Sequence, residues 1–296
     1  RDRDVTGVQT CALPILSVAL VVAGCMNLPF TMPTVNITEG AAKQGMIWPM
    51  MFILIACGAI SGFHSLVAGG TTGKQLNNER DARRIGFNAM LLESLLAVCV
   101  LLALGVGLGF DDYKAIVYPV VEGVKSNPIL AFSLSVGRLV HTTLGIPVAL
   151  GTVFGIRLVE GFVITTLDAA VRLNRYLFEE LWEMIFAHPP AILRNHWFNS
   201  LISVILMWVL AYSNAFNALW PIFGAANQLL AALGLITVTG WLILKGRKFF
   251  FALAPAIFMI TTTTGALILL LLKYLRENNY ILAVTAVLML GLTVGV

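Results

Sequence analysis

Apolar residues in this chain come in long unbroken runs separated by short polar stretches, with little period-two alternation. Eight runs stand out: Leu16 to Phe30, Trp48 to Gly69, Ile85 to Gly109, Gly145 to Leu167, Trp197 to Tyr212, Ile222 to Leu244, Phe249 to Leu272 and Tyr280 to Val296. A helix needs about 20 apolar residues to cross the hydrocarbon core of a bilayer, and most of these runs approach that length. Continuous runs predict helices, whereas a barrel would alternate. The expected fold is therefore an all-α polytopic membrane protein with about eight transmembrane helices.

Other stretches refine this pattern. Asn127 to His141 mixes Leu130, Phe132, Leu134, Leu139 and Val140 with Arg138 and His141, which predicts a helix lying in the membrane interface. Asp168 to Ala187 carries Leu173, Leu177, Leu181 and Met184 at helical spacing and continues the fourth run beyond the membrane, with Asp168 and Arg172 one turn apart. Pro189 and Pro190 end it. Glycines four apart recur at Gly58/Gly62, Gly105/Gly109, Gly151/Gly155 and Gly291/Gly295, a spacing that lets helices approach closely in lipid.

Composition narrows the class. Of 296 residues, 58% are hydrophobic and 11% charged, against roughly 25% charged in soluble domains. So little charge cannot cover a soluble enzyme, and so much apolar surface excludes a disordered chain. The lipid bilayer is the expected partner. The net charge of +4 is thinly spread, and the one dense cluster, Lys245, Arg247 and Lys248, sits between apolar runs, so no nucleic acid is expected. Charge also orients the chain. The loops Gly70–Arg84, Asp168–His196 and Lys245–Lys248 hold ten basic residues, and the intervening loops, Thr31–Ile47, Phe110–Pro128, Ser213–Pro221 and Lys273–Asn279, hold five. The richer side is expected to be cytoplasmic. Four cysteines give no disulfide framework, and His141, His188 and His196 lack zinc spacing. HExxH, GxSxG, Walker and CxxC patterns are missing, and Asp111-Asp112 reads as a solvated loop pair, so no catalytic residue, metal or enzyme is expected. Asn36-Ile37-Thr38 fits a glycosylation acceptor, on the slender evidence of three residues.

The chain does not begin with Met, and Val5 to Ile15 (VTGVQTCALPI) looks like a translated sequencing adapter. Residues 1–15 are thus expected to be non-native, and 16–296 to form a transmembrane domain incomplete at both ends.

Polar groups inside the runs carry the functional argument, because a charge at mid-bilayer costs roughly 2.5–3.5 kcal/mol or more. Glu93 lies near the middle of the third run, where a carboxyl suits a proton carrier or an interhelical bond. Arg157 and Glu160 share a helix face in the fourth; mutual neutralisation is favoured over substrate contact. His64 and Ser65 lie in a polar break, Ser61 to Ser65, that continues through Gly69, Gly70, Thr71, Thr72, Gly73, Lys74 and Gln75. Helix is poorly supported there. In transporters such breaks free backbone groups to bind ions and anionic substrates; the alternatives are a loop at the membrane face and a structural histidine. A second break is read at Ser213 to Gln228, where Pro221 and Gly224 interrupt the pattern. Asn227 and Gln228 there need partners in lipid and either bind substrate or lock two helices. Thr165 and Thr166, just before Asp168, offer paired hydroxyls to a small cation. Thr261 to Thr264 are expected to bond their own helix carbonyls.

The segments MNLPFTMPTVNITEGAAKQGMIWPMMFILIACGAISGFHSLVAGGTTGKQL, DARRIGFNAMLLESLLAV, TTLDAAVRLNRYLFEEL and WPIFGAANQLLAALGL resemble the carbon starvation protein A family, over about Asn27 to Trp241. The resemblance implies a bacterial inner-membrane transporter that takes up peptides or pyruvate under nutrient limitation, the pyruvate carriers being proton symporters. It implies an amino acid–polyamine–organocation-like core with broken helices around a midplane site. Family members are far longer, so flanking regions are expected on both sides. Residue chemistry then assigns Glu93, His64 and the Gly-Thr-rich break to proton coupling and to the substrate carboxylate, with Lys74 or Arg157 supplying positive charge and Asn227 and Gln228 lining the second break. The coupling ion is expected to be a proton, with sodium the alternative; no other cofactor is expected, and the oligomeric state is open. A channel would show a continuous polar stripe and an intramembrane enzyme a nucleophile with its base; neither pattern stands out.

Overall fold

A computed structural model of the chain describes residues 24, 28–33, 35–120, 126–186, 188–212 and 216–294. Residues 1–15 and most of the first apolar run lie outside the described residues, as do 213–215 of the second break and 295–296 of the last run. Among the described residues every regular element is helical. Five helices among the described residues are long and apolar enough to cross a membrane: Ile47–Gln75, Glu79–Gly107, Val148–Ile185, Leu219–Leu244 and Phe250–Arg276. His196–Tyr212 and Tyr280–Thr293 are apolar but shorter. In chain order the α-helices are α1 (Ile37–Gln44), α2 (Phe52–Ala59), α3 (Gly62–Val67), α4 (Glu79–Gly107), α5 (Phe110–Val117), α6 (Pro128–Leu144), α7 (Val148–Ile185), α8 (His196–Tyr212), α9 (Phe216–Leu244), α10 (Phe250–Arg276) and α11 (Tyr280–Val294). They divide between two compact units, one holding residues up to Val35 and Leu76–Ala169, the other Asn36–Gln75 and Ala170–Val296.

In the first unit Asn78 caps α4 by accepting from the Arg80 N–H, and Glu79 and Asp81 place negative charge in its first turn. At the other end the Thr31 hydroxyl lies within donating distance of two carbonyls, those of Gly105 at 2.9 Å and Leu108 at 2.8 Å. Asn127 and Pro128 start α6, and Gly145 ends it at φ 68°. This helix, expected to lie in the membrane interface, packs one face into the unit. Leu139 meets Cys99, Ala103 and Val106 of α4. On α7, Gly151 faces Gly137, and Gly155 faces Ser133 with only 2.8 Å between its would-be Cβ and the Ser133 Cα. Small residues on both helices permit this approach. Its polar groups have partners and stay exposed or half-exposed. Arg138 donates to Asp112 Oδ2 at 3.0 Å, and His141 Nδ1 sits 2.9 Å from the Ile146 carbonyl. Asp111-Asp112 is accordingly no loop pair: both begin α5, where Asp111 pairs with Lys114 at 3.2 Å.

The second unit is organised by the α9–α10 hairpin, turned at Gly246 with φ 63°. Ala231 and Ala232 pack with Met259, while Ile222 and Ala225 pack with Leu267, Leu270 and Tyr274. That antiparallel register sets Gln228 level with Thr263. The sequence reading placed a break at Pro221 and Gly224, yet α9 runs through both. Pro221 falls early in the helix and removes only one backbone bond, which the packing of Ile222 and Ala225 outweighs. The other predicted break is real and narrower than expected. Ile60 (φ −131°, ψ 94°) and Ser61 (φ −105°, ψ 123°) leave helical conformation between α2 and α3. The Gly-Thr stretch after it stays helical, as a wide turn over Ala68–Thr72 and a tight one over Gly73–Gln75. Widening the turn accommodates the glycines without ending the helix.

Candidate functional site

The break between α2 and α3 leaves carbonyls at the end of one half-helix and N–H groups at the start of the next. Water satisfies such groups in a soluble protein, but lipid cannot. Here two buried amides of α9 do so. Asn227 Oδ1 accepts from the Phe63 N–H at 2.8 Å and from the Ser61 hydroxyl at 3.2 Å. Asn227 Nδ2 lies 3.0 Å from Cys57 Sγ and 3.4 Å from the Cys57 carbonyl. Gln228 Nε2 donates to the Ile60 carbonyl at 3.1 Å. Ser61 completes the joint by accepting from the His64 N–H. Close approach is possible because Gly62 has no Cβ; one there would overlap Leu230 and the Asn227 carbonyl. Of the two sequence readings for these amides, the locking one describes their contacts.

Two oxygens on the packed helices α9 and α10 have no hydrogen-bond partner among the described residues. Gln228 Oε1 and Thr263 Oγ1 are both buried, on residues of 0% exposure. Thr261, Thr262 and Thr264 donate to the carbonyls four residues back, as expected of helix-internal hydroxyls. Thr263 departs from that pattern.

The other nominated residues fall in separate places. In the second unit, His64 is exposed with its ring beside Phe63, and Ser65 donates to the Gly62 carbonyl at 2.7 Å. Thr71 donates back to Val67, and Thr72 is exposed. Lys74 and Gln75 lie a further three to four turns along from Ser61, in a cleft of about 240 Å³ with Arg172, Arg175 and Tyr176. By sequence Arg172 is marked only by its spacing from Asp168, and Arg175 and Tyr176 only as members of a helical extension. Their loop and that of Lys74 were assigned to one side of the membrane by the charge count, and they meet.

In the first unit, Glu93 is exposed on α4 and lines a cleft of about 680 Å³ with Asp81, Arg84, Asn88 and Phe162. It has no ion pair or hydrogen bond among the described residues, so the interhelical bond entertained for it is not formed there. Arg157 donates to Glu160 at 2.6 Å, the mutual neutralisation favoured from spacing. Thr165 and Thr166 both donate to the Phe162 carbonyl, and Asp168 is exposed two residues on. No cluster of three or more metal-ligating His, Cys, Asp or Glu side chains occurs among the described residues.

The family model for carbon starvation protein CstA matches residues 6–121 and 109–266. A peptide transporter CstA of Helicobacter pylori strain J99 is 29% identical over 83% of this chain and 42% of its own length. The Escherichia coli peptide transporter CstA is 29% identical over 67% of this chain and 35% of its own. The Escherichia coli pyruvate/proton symporter BtsT is 28% identical over 75% and 40% respectively. The chain thus spans about two-fifths of the length of the curated relatives it matches. No solved structure matches. Family match and membrane-length helices agree, and the chain belongs to the carbon starvation protein CstA family of multi-pass proteins of the bacterial inner membrane.

Proposed function

We propose that this chain forms part of the core of a secondary transporter that takes up a small carboxylate nutrient, a peptide or pyruvate, by proton symport. The observation that carries the reading is the joint between α2 and α3, where a membrane-length helix is interrupted and its freed backbone groups are held by Asn227 and Gln228. An interruption of this kind gives two half-helices that can reorient about a fixed point, and transporters built from discontinuous helices bind solutes there. The relatives' names supply the substrate classes. On this reading His196–Tyr212 and Tyr280–Thr293 also cross the bilayer, as shorter spans in an amino acid–polyamine–organocation-like arrangement of about eight helices.

Glu93 is the proposed proton carrier, with His64, Ser65, Thr71 and Thr72 on the solute path along the broken helix. Uptake of labelled pyruvate and of a labelled dipeptide, each in competition with the other, by cells producing the protein tests both substrate and coupling. Glu93→Gln is expected to abolish uptake driven by a proton gradient while leaving solute exchange. Unchanged proton-driven uptake would remove Glu93 from the coupling role.

Sodium coupling is the second reading, favoured by two unpartnered buried oxygens, Gln228 Oε1 and Thr263 Oγ1, on the packed helices α9 and α10. A hydroxyl and an amide carbonyl suit a hard monovalent cation. Under that reading Thr263→Val raises the sodium concentration needed for half-maximal uptake and leaves the proton dependence alone. Uptake indifferent to sodium in both proteins would dismiss it.

A further inference from the structure

The cleft holding Lys74 and Gln75 has an electrostatic character that the transport reading does not use. Its lining contains Lys74, Arg172 and Arg175 and no acidic residue; Arg172 has a partner of its own, so Lys74 and Arg175 are the cations at issue. Lys74 Nζ stands 5.1 Å from the centre of the Tyr176 ring, and the Arg175 guanidinium carbon 4.8 Å from it. Arg175 Nε is buried with no acceptor. Its natural helical partner would be Glu179, one turn on, but Glu179 is turned to His196 at 3.1 Å. Neither Lys74 nor Arg175 has an anionic partner among the described residues. Gathering like charges in one cleft is unfavourable, and two cations at one aromatic ring relieve it only in part. An anion would complete the arrangement.

Depth identifies the class of anion. The run Val148 to Leu167 is apolar but for the Arg157–Glu160 pair, and α7 continues past it for eighteen residues. At 1.5 Å per residue the helix is about 57 Å long and Arg175 lies about 40 Å from its start, beyond the ~30 Å hydrocarbon core. Lys74 and Gln75 likewise end the membrane-length segment Ile47–Gln75. The cleft therefore opens where lipid phosphates reside, on the side the charge count makes cytoplasmic. An Arg fork with a neighbouring Lys matches a phosphate's oxygens, and basic pockets at this depth take anionic headgroups.

We infer that this cleft binds the phosphate group of an anionic phospholipid. The test is native mass spectrometry of the protein in neutral detergent, titrated with phosphatidylglycerol or phosphatidylcholine. Phosphatidylglycerol is expected to leave a retained adduct that the Lys74→Ala/Arg175→Ala protein loses by about thirtyfold, the factor for two basic residues at an anionic surface. Phosphatidylcholine is expected to bind both proteins equally and weakly. Arg175→Lys, which keeps the charge and loses the fork, is expected to fall between, and guards against a double variant that fails to fold. Inorganic phosphate in excess separates the sources: an adduct that survives it belongs to a lipid. Displacement by phosphate would overturn the lipid assignment in favour of a soluble phosphate ligand. Equal phosphatidylglycerol adducts in all three proteins would overturn the site itself.

Discussion

Replacing Asn227 with leucine is expected to abolish uptake and to lower the unfolding temperature in detergent by several degrees. Leucine has the branched shape and heavy-atom count of asparagine, is larger, and has neither its carbonyl nor its amide. Three groups at the joint lose their partner at once: the Phe63 N–H, the Ser61 hydroxyl and the Cys57 carbonyl. Unpaired buried groups cost about 1–3 kcal/mol each in water-soluble proteins, and interhelical bonds in membranes average nearer 0.6 kcal/mol, so the sum is put at roughly 2–4 kcal/mol. The functional loss should exceed what stability alone predicts, because the half-helices lose the point about which they are held. Asn227→Asp separates the two halves of this argument. It keeps acceptors for Phe63 and Ser61 and discards the donor to Cys57, so it should retain more stability than leucine. If Asn227→Leu unfolds and transports like its parent, the joint does not hold the helix.

Much of this arrangement was legible in the sequence, and the failures share a cause. Long apolar runs announced the membrane helices because burial in lipid acts on every residue of a span. The interruption at Ser61 was visible for the same reason: a polar, glycine-bearing stretch stands out against an apolar ground. Partner choice was not visible. Asn227 and Gln228 were flagged as amides in need of partners, but spacing cannot say that their partners are backbone groups some 165 residues earlier. Pro221 misled because its effect depends on depth within the helix, which only the start of α9 fixes. Asn127 to His141 is helical as read, but spacing could not name Asp112 and the Ile146 carbonyl as the partners of Arg138 and His141. Arg175 and Tyr176 passed as ordinary members of an amphipathic helix, since nothing local reports that Lys74 comes to the same ring.

Gly58 and Gly62 make the sharpest case, because the same substitution four residues apart is expected to have opposite signs. Read as a pair they look like one close-packing motif. In the structure nothing lies within 4 Å of a Cβ built on Gly58. Alanine there adds helix propensity, worth up to about 1 kcal/mol, and meets no obstacle. At Gly62 a Cβ would overlap the Leu230 side chain and the Asn227 carbonyl, and would come within 2.6 Å of the Ala231 nitrogen. Backbone atoms of a packed helix cannot rotate aside as a side chain can. Gly62→Ala must therefore push α3 off α9, and the Phe63 N–H, one residue away, leaves Asn227 as it goes. Uptake is expected to fall about tenfold or more, the factor that 1.4 kcal/mol represents, with a lowered unfolding temperature. Gly58→Ala should leave uptake intact and unfold at the same temperature or slightly higher. Two alanine proteins of equal stability and equal uptake would mean that the contact between α3 and α9 does not govern the joint.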